Sequence, residues 1–119
     1  MIKTFKELKV WQKDHELVIM IYKLTDKFPK EEKFGLSSQI RRAGVSIPSN
    51  IAEGFARHSR THKISVNFYD IANGSLEEVK YQLLLSKDLG YINIDEYNGA
   101  VNLSENVGRM LYNWSKSQK

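Results

Sequence analysis

The chain has 119 residues, with 18 Lys and Arg against 14 Asp and Glu, and no cysteine. That length is one domain, which buries roughly two thirds of the surface its unfolded chain exposes. The missing thiols exclude disulfides, thiolate metal sites and cysteine nucleophiles. The longest apolar run, residues 17–22, falls far short of the roughly 20 residues a membrane-spanning helix needs. No signal-peptide pattern opens the chain, so a cytoplasmic protein is expected.

Thr4 followed by Glu7 is a capping box, with apolar helical spacing directly behind it, and predicts a helix over residues 5–25. Leu8, Trp11, Val18 and Tyr22 form one stripe, while Leu17, Ile19, Met20, Ile21 and Leu24 spread apolar surface well beyond it. A helix this apolar around its circumference needs a second partner surface, which predicts a subunit contact. His15 falls within the apolar spacing and reads as a core-edge or interface residue, since no second metal ligand is placed near it. Residues 26–35 then form a connection, with Pro29 stopping the first helix and Gly35 permitting entry to the next. The run Lys30-Glu31-Glu32-Lys33 within it reads as solvated charge.

Residues 39–54 are the most specific stretch. On a helix, Leu36, Ile40, Ile47, Ile51 and Phe55 share one arc, and Gln39, Arg42, Ser46, Ser49, Asn50, Glu53 and Arg57 share another. Pro48 removes one helical hydrogen bond and crowds the carbonyl of Gly44. Both stripes keep phase across it, which predicts one kinked helix rather than two. Arg42, Ser46, Asn50 and Glu53, together with Ser75 on the next helix, are expected to form a partly buried polar network that fixes the packing.

Residues 56–60 read as a turn, after which Ser59 or Thr61 caps a third helix that reaches about residue 89. Gly74 and Ser75 in its middle are expected to face another helix near Pro48, because small residues there permit a close crossing. Leu84 and Leu85 widen its apolar face and suggest a further subunit contact. Gly90 fits a left-handed cap and Asp95 an amino-terminal cap for a fourth helix over residues 96–114. No strand-like alternation interrupts the pattern. The fold class is therefore all-α, an up-and-down four-helix bundle with a Pro-kinked second helix.

Charge is uneven along this layout. Counting Lys and Arg against Asp and Glu gives eight and six in residues 1–35, five and one in 36–63, two and four in 64–94, and three and three in 95–119. Arg41, Arg57, Arg60 and Lys63, with Lys9 and Lys13, are the candidate phosphate contacts. A solubilising surface on a mildly basic protein is the plainer alternative. An enzymatic alternative rests on Arg57 and His62, whose Arg-x4-His spacing matches that of the helical nucleases known as HEPN domains. There the arginine would stabilise phosphate charge and the histidine move a proton. Zinc binding by His58 and His62 lacks a third ligand, so neither metal nor cofactor is expected.

Several blocks together resemble a known family. They are Phe5, Leu8, Trp11 and Gln12; Phe28-Pro29 and Gly35-Leu36; Gln39-Ile40-Arg41-Arg42-Ala43; Ser46-Ile47-Pro48-Ser49-Asn50-Ile51-Ala52-Glu53-Gly54; and Ala72-Asn73-Gly74-Ser75-Leu76-Glu77-Glu78. The set resembles the 23S rRNA intervening-sequence (S23) proteins and covers nearly the whole chain. Accessory proteins of diversity-generating retroelements look similar. The resemblance implies a four-helix bundle, a ring-shaped homo-oligomer expected to be a pentamer, and a nucleic-acid-binding role with RNA favoured over DNA. It supplies no catalytic residues, and leaves open a pure protein scaffold. Gly44 departs from the family, which more often has a bulkier small residue there.

Overall fold

The computed structural model describes residues 1–57 and 62–117, the side chains of 62–65 excepted. Four helices carry the chain: α1 (Lys9–Thr25), α2 (Leu36–Arg57), α3 (His62–Asp88) and α4 (Ile94–Ser117). Among the described residues there is no strand. Each helix packs on two neighbours, α1 on α2 and α4, and α3 on α2 and α4, while the diagonal pairs stay apart. This is the closed square of an all-α, up-and-down bundle.

The first helix begins later than its capping signal suggests. Thr4 and Glu7 close only a 3₁₀ turn, Phe5–Glu7, in which Thr4 Oγ1 accepts from the Lys6 N–H at 3.4 Å and Glu7 Oε2 from the Lys3 N–H at 3.0 Å. Leu8 then adopts an extended conformation (φ −72°, ψ 125°) that sends its side chain into the core, and α1 starts at Lys9. Core burial of Leu8 and Val10 outweighs continuation of the turn.

α2 runs unbroken through Pro48, which is itself buried. Its glycines set the distance to both neighbours. A Cβ on Gly44 would lie 2.9 Å from Ile21 Cδ1 of α1, and one on Gly54 would lie 2.7 Å from Tyr69 Cε1 of α3. The small-residue crossing expected at Gly74 is therefore made elsewhere. Gly74 is exposed with nothing within 4 Å of a Cβ, and only its neighbour Ser75 faces α2.

Gly90, at φ +80°, ends α3 in the left-handed conformation, with the Tyr91 N–H on the Ser86 carbonyl at 2.9 Å. The cap of α4 is Asn93, not Asp95. Asn93 Oδ1 accepts from the Glu96 N–H at 2.8 Å and Glu96 Oε1 from the Asn93 N–H at 2.9 Å, a reciprocal capping box two residues earlier than expected. Inside, Leu17, Ile21, Ile40, Ile47, Ile51, Leu76, Val79, Leu83 and Val107 are wholly buried. The buried hydroxyls of Thr25, Ser86 and Ser104 each donate to the carbonyl four residues earlier, which satisfies their protons within their own helix. No described helix is long and apolar enough to cross a membrane.

Candidate nucleic-acid interface

The end of α1, the connection behind it and the first turns of α2 enclose an open groove of about 820 Å³. Its organising side chain is Arg41. The Nε–H of Arg41 donates to Thr25 Oγ1 at 2.7 Å, a terminal N–H reaches the Tyr22 carbonyl at 3.5 Å, and the guanidinium lies over the Tyr22 ring at 4.5 Å. Asp26 Oδ1 is 3.7 Å away, on a side chain so exposed that the pair adds little stability. Arg41 thus sits where the carbonyl end of α1 favours a cation, and it keeps donors to spare.

Lys30, Lys33 and Arg42 line the same groove, and none of them forms an ion pair among the described residues. The second 3₁₀ turn, Lys30–Glu32, sorts the mixed charge run by direction. Glu32 turns away from the groove: its Oε1 accepts from the Leu36 N–H at 3.0 Å, capping α2, and its Oε2 from the Tyr91 hydroxyl at 2.8 Å. Those two bonds, the backbone one foremost, hold its carboxyl below the usual glutamate range. Four cations therefore face the groove with one carboxylate, Asp26, among them. Phe34 stands on its rim at 89% exposure, with Lys33 Nζ 5.4 Å from its ring centre.

The sequence candidates do not gather at one place. Arg41 and Arg57 are 16 residues apart on α2, about 24 Å at 1.5 Å per residue. Arg57 Nε donates to Glu53 Oε2 at 3.3 Å, and its guanidinium lies 5.6 Å from the Phe68 ring centre. Lys13 pairs with Glu16 at 3.2 Å, and Lys9 is exposed on the first turn of α1. Arg60, His58 and the proposed caps Ser59 and Thr61 lie outside the described residues, as do the side chains of His62 and Lys63. Of the polar network, Ser46 Oγ and Ser75 Oγ are 2.9 Å apart, and Asn50 Nδ2 donates to the Ser46 carbonyl at 2.7 Å and hydroxyl at 3.0 Å. Arg42 and Glu53 are exposed and outside that set, Arg42 because its position on α2 turns it to the groove.

Sequence reasoning passed over Lys30, Lys33 and Phe34, and it assigned Arg42 to packing. The available signal was Phe34, a large apolar residue in a charged connection and out of phase with both flanking helices. His15 stacks on Trp11 with ring centres 5.2 Å apart and planes at 5°. Asp14 was also missed. It is fully buried on α1, and burial pushes its carboxyl up to about 8. No group of three His, Cys, Asp or Glu that could hold a metal occurs among the described residues.

The family model for the 23S rRNA-intervening sequence protein matches residues 6–113. The chain belongs to that family. A solved structure of similar form is a protein of unknown function from the S23 ribosomal protein family of Bacteroides thetaiotaomicron VPI-5482. It is 28% identical, with a TM-score of 0.81 over 90% of this chain and 98% of that one. No curated protein matches significantly. Four residues that line the groove of this intervening-sequence protein, Phe28, Pro29, Arg41 and Arg42, belong to blocks that carry the family resemblance.

Proposed function

We propose that this intervening-sequence protein is a non-enzymatic, cytoplasmic nucleic-acid-binding module that holds structured RNA by charge and shape. The observation that carries this reading is the groove in which Lys30, Lys33, Arg41 and Arg42 face one exposed carboxylate. Such an excess of cations attracts phosphate whatever the base sequence. The family's tie to 23S rRNA intervening sequences favours RNA over DNA. Lys9, exposed at the start of α1, and Lys13 are further candidate contacts, and Arg57, Arg60 and Lys63 are candidates by their charge alone.

Assembly belongs to the same reading. The family resemblance suggests a ring of five copies, and Ile19, Tyr81 and Leu84 supply exposed apolar surface for subunit contacts. Repeating a weak groove around a ring raises the overall affinity by avidity without any new contact. The nuclease alternative gains nothing from Arg57, whose guanidinium is engaged by Glu53 and Phe68. The deciding experiment is an RNA-binding titration at several salt concentrations. Four phosphate contacts give a slope of about −3 to −4 in log K against log salt, from roughly −0.7 per contact on single strands and −0.9 on duplex DNA. The double variant Lys33→Ala/Arg42→Ala should flatten that slope. Affinity that does not weaken with salt overturns the reading.

A further inference from the structure

We infer that the groove at Arg41 takes an unpaired nucleobase of a single-stranded RNA segment, stacked on the ring of Phe34. This rests on the nucleic-acid reading above and adds to it the conformation of the ligand. Phe34 is the most exposed ring in the chain for which burial is described, at 89%, although its neighbour Phe28 is buried and could have marked the path of the chain inward. No described aromatic ring packs on it, and the Lys33 ammonium lies 5.4 Å from its centre. Lys30 and Arg42, both without ion pairs among the described residues, line the same groove as a second half-exposed ring, Tyr22, over which the Arg41 guanidinium lies.

An exposed ring bordered by cations is the arrangement that single strands use. Successive bases stack on aromatic faces while their phosphates meet lysine and arginine. Every base offers a π face, so this contact needs no particular sequence. A duplex offers none, because its bases are already stacked on one another. RNA loops and bulges do, and their splayed bases are the usual targets of RNA recognition. The groove volume of about 820 Å³ accommodates a nucleotide with its flanking phosphates. An apolar peptide would use Phe34 equally well but gains nothing from four cations, and another copy of this chain would have to bring an acidic face to them.

The test compares the full-length protein with Phe34→Ala and Phe34→Trp, using one RNA oligonucleotide as a single strand and as a duplex, with oligomer mass measured for each variant. The single strand should bind the wild type more tightly than the duplex does. Phe34→Ala should weaken single-strand binding by about tenfold and leave duplex binding unchanged. Phe34→Trp should keep the affinity, and its added fluorescence over wild type should be quenched by the single strand. Salt-sensitive binding that ignores both substitutions overturns base stacking and leaves the charge reading intact. Failure of both forms of RNA to bind the wild type overturns both readings. A change in oligomer mass on Phe34→Ala overturns the inference in favour of a second copy covering the ring.

Discussion

The hydroxyl of Thr25 joins two elements at once: it donates to the Ile21 carbonyl at 2.8 Å and accepts from the Arg41 Nε–H at 2.7 Å. A buried side chain in the last turn of α1 thus holds the arginine that organises the groove. Thr25→Val keeps the shape and removes both bonds. It should cost about 1 to 3 kcal/mol in urea unfolding, at roughly 0.5 to 1.5 kcal/mol for each of the two bonds. It should also weaken RNA binding several-fold, because Arg41 loses its anchor. Thr25→Ser restores the hydroxyl and should recover binding. Arg41→Lys should not, since a lysine cannot serve Thr25 while stacking flat on Tyr22.

The two glycines on either side of the α2–α3 crossing should respond in opposite directions to alanine. At Gly54 the new methyl would meet Tyr69 Cε1 at 2.7 Å, and that ring is buried and packed edge-on against Trp114 at 4.2 Å, so it cannot swing aside. Gly54→Ala should destabilise by about 1 to 3 kcal/mol, the usual cost of overpacking. At Gly74 the methyl meets nothing, and the helix loses an entropic burden. Gly74→Ala should therefore stabilise by up to about 1 kcal/mol. Urea midpoints of the two variants at one pH check both statements.

The contrast between those glycines also shows what the sequence could and could not reveal. Helical periodicity placed all four helices, because each buries a stripe that recurs every three to four residues. Gly90 was readable because a left-handed cap follows an apolar run that ends there. Which glycine touches a neighbour was not readable, since that depends on the rotation of α2 against α3. The Asn93 to Glu96 capping box was present in the sequence, but Asp95 two residues on offered a competing cap. The groove was hidden for a different reason. Within Lys30 to Lys33 only the 3₁₀ turn decides that the lysines face Arg41 while Glu32 faces Leu36 and Tyr91. Direction, not composition, makes that site.

Asn50 provides a separation of packing from binding. Its amide bridges to the Ser46 hydroxyl, which faces Ser75 across the helix pair. Asn50→Ala should lower stability by about 1 kcal/mol, because Ser46 and its carbonyl lose a donor in a half-buried place. RNA affinity should stay the same, as Asn50 lies nine residues from Arg41, about 13 Å along α2. Loss of RNA binding without loss of stability would reverse the roles assigned to Asn50 and the groove.

Asp14 sets the pH dependence. It is fully buried on α1, and neither carboxylate oxygen has a hydrogen-bond partner among the described residues. Desolvation raises its pKa from 3.8 to about 8, since the charged form is the one that burial penalises. Between those two values the folded chain keeps a proton that the unfolded chain has lost. Stability therefore falls as pH rises through the window and levels off above about 8. The full gap corresponds to roughly 6 kcal/mol at about 1.36 kcal/mol per pH unit. Glu32 and Glu96, whose carboxyls are held below their ordinary values, contribute only at acid pH, so a comparison from pH 5 to 8 leaves them ionised in both states. Over that range the wild-type Tm should drop by about 10 °C or more, while Asp14→Asn, which cannot ionise, should show a much flatter profile. The gap between the two profiles should close only toward pH 4 and be widest at pH 8, where the variant is the more stable protein. Parallel profiles for the two proteins would mean that Asp14 reaches water or a base in the folded chain.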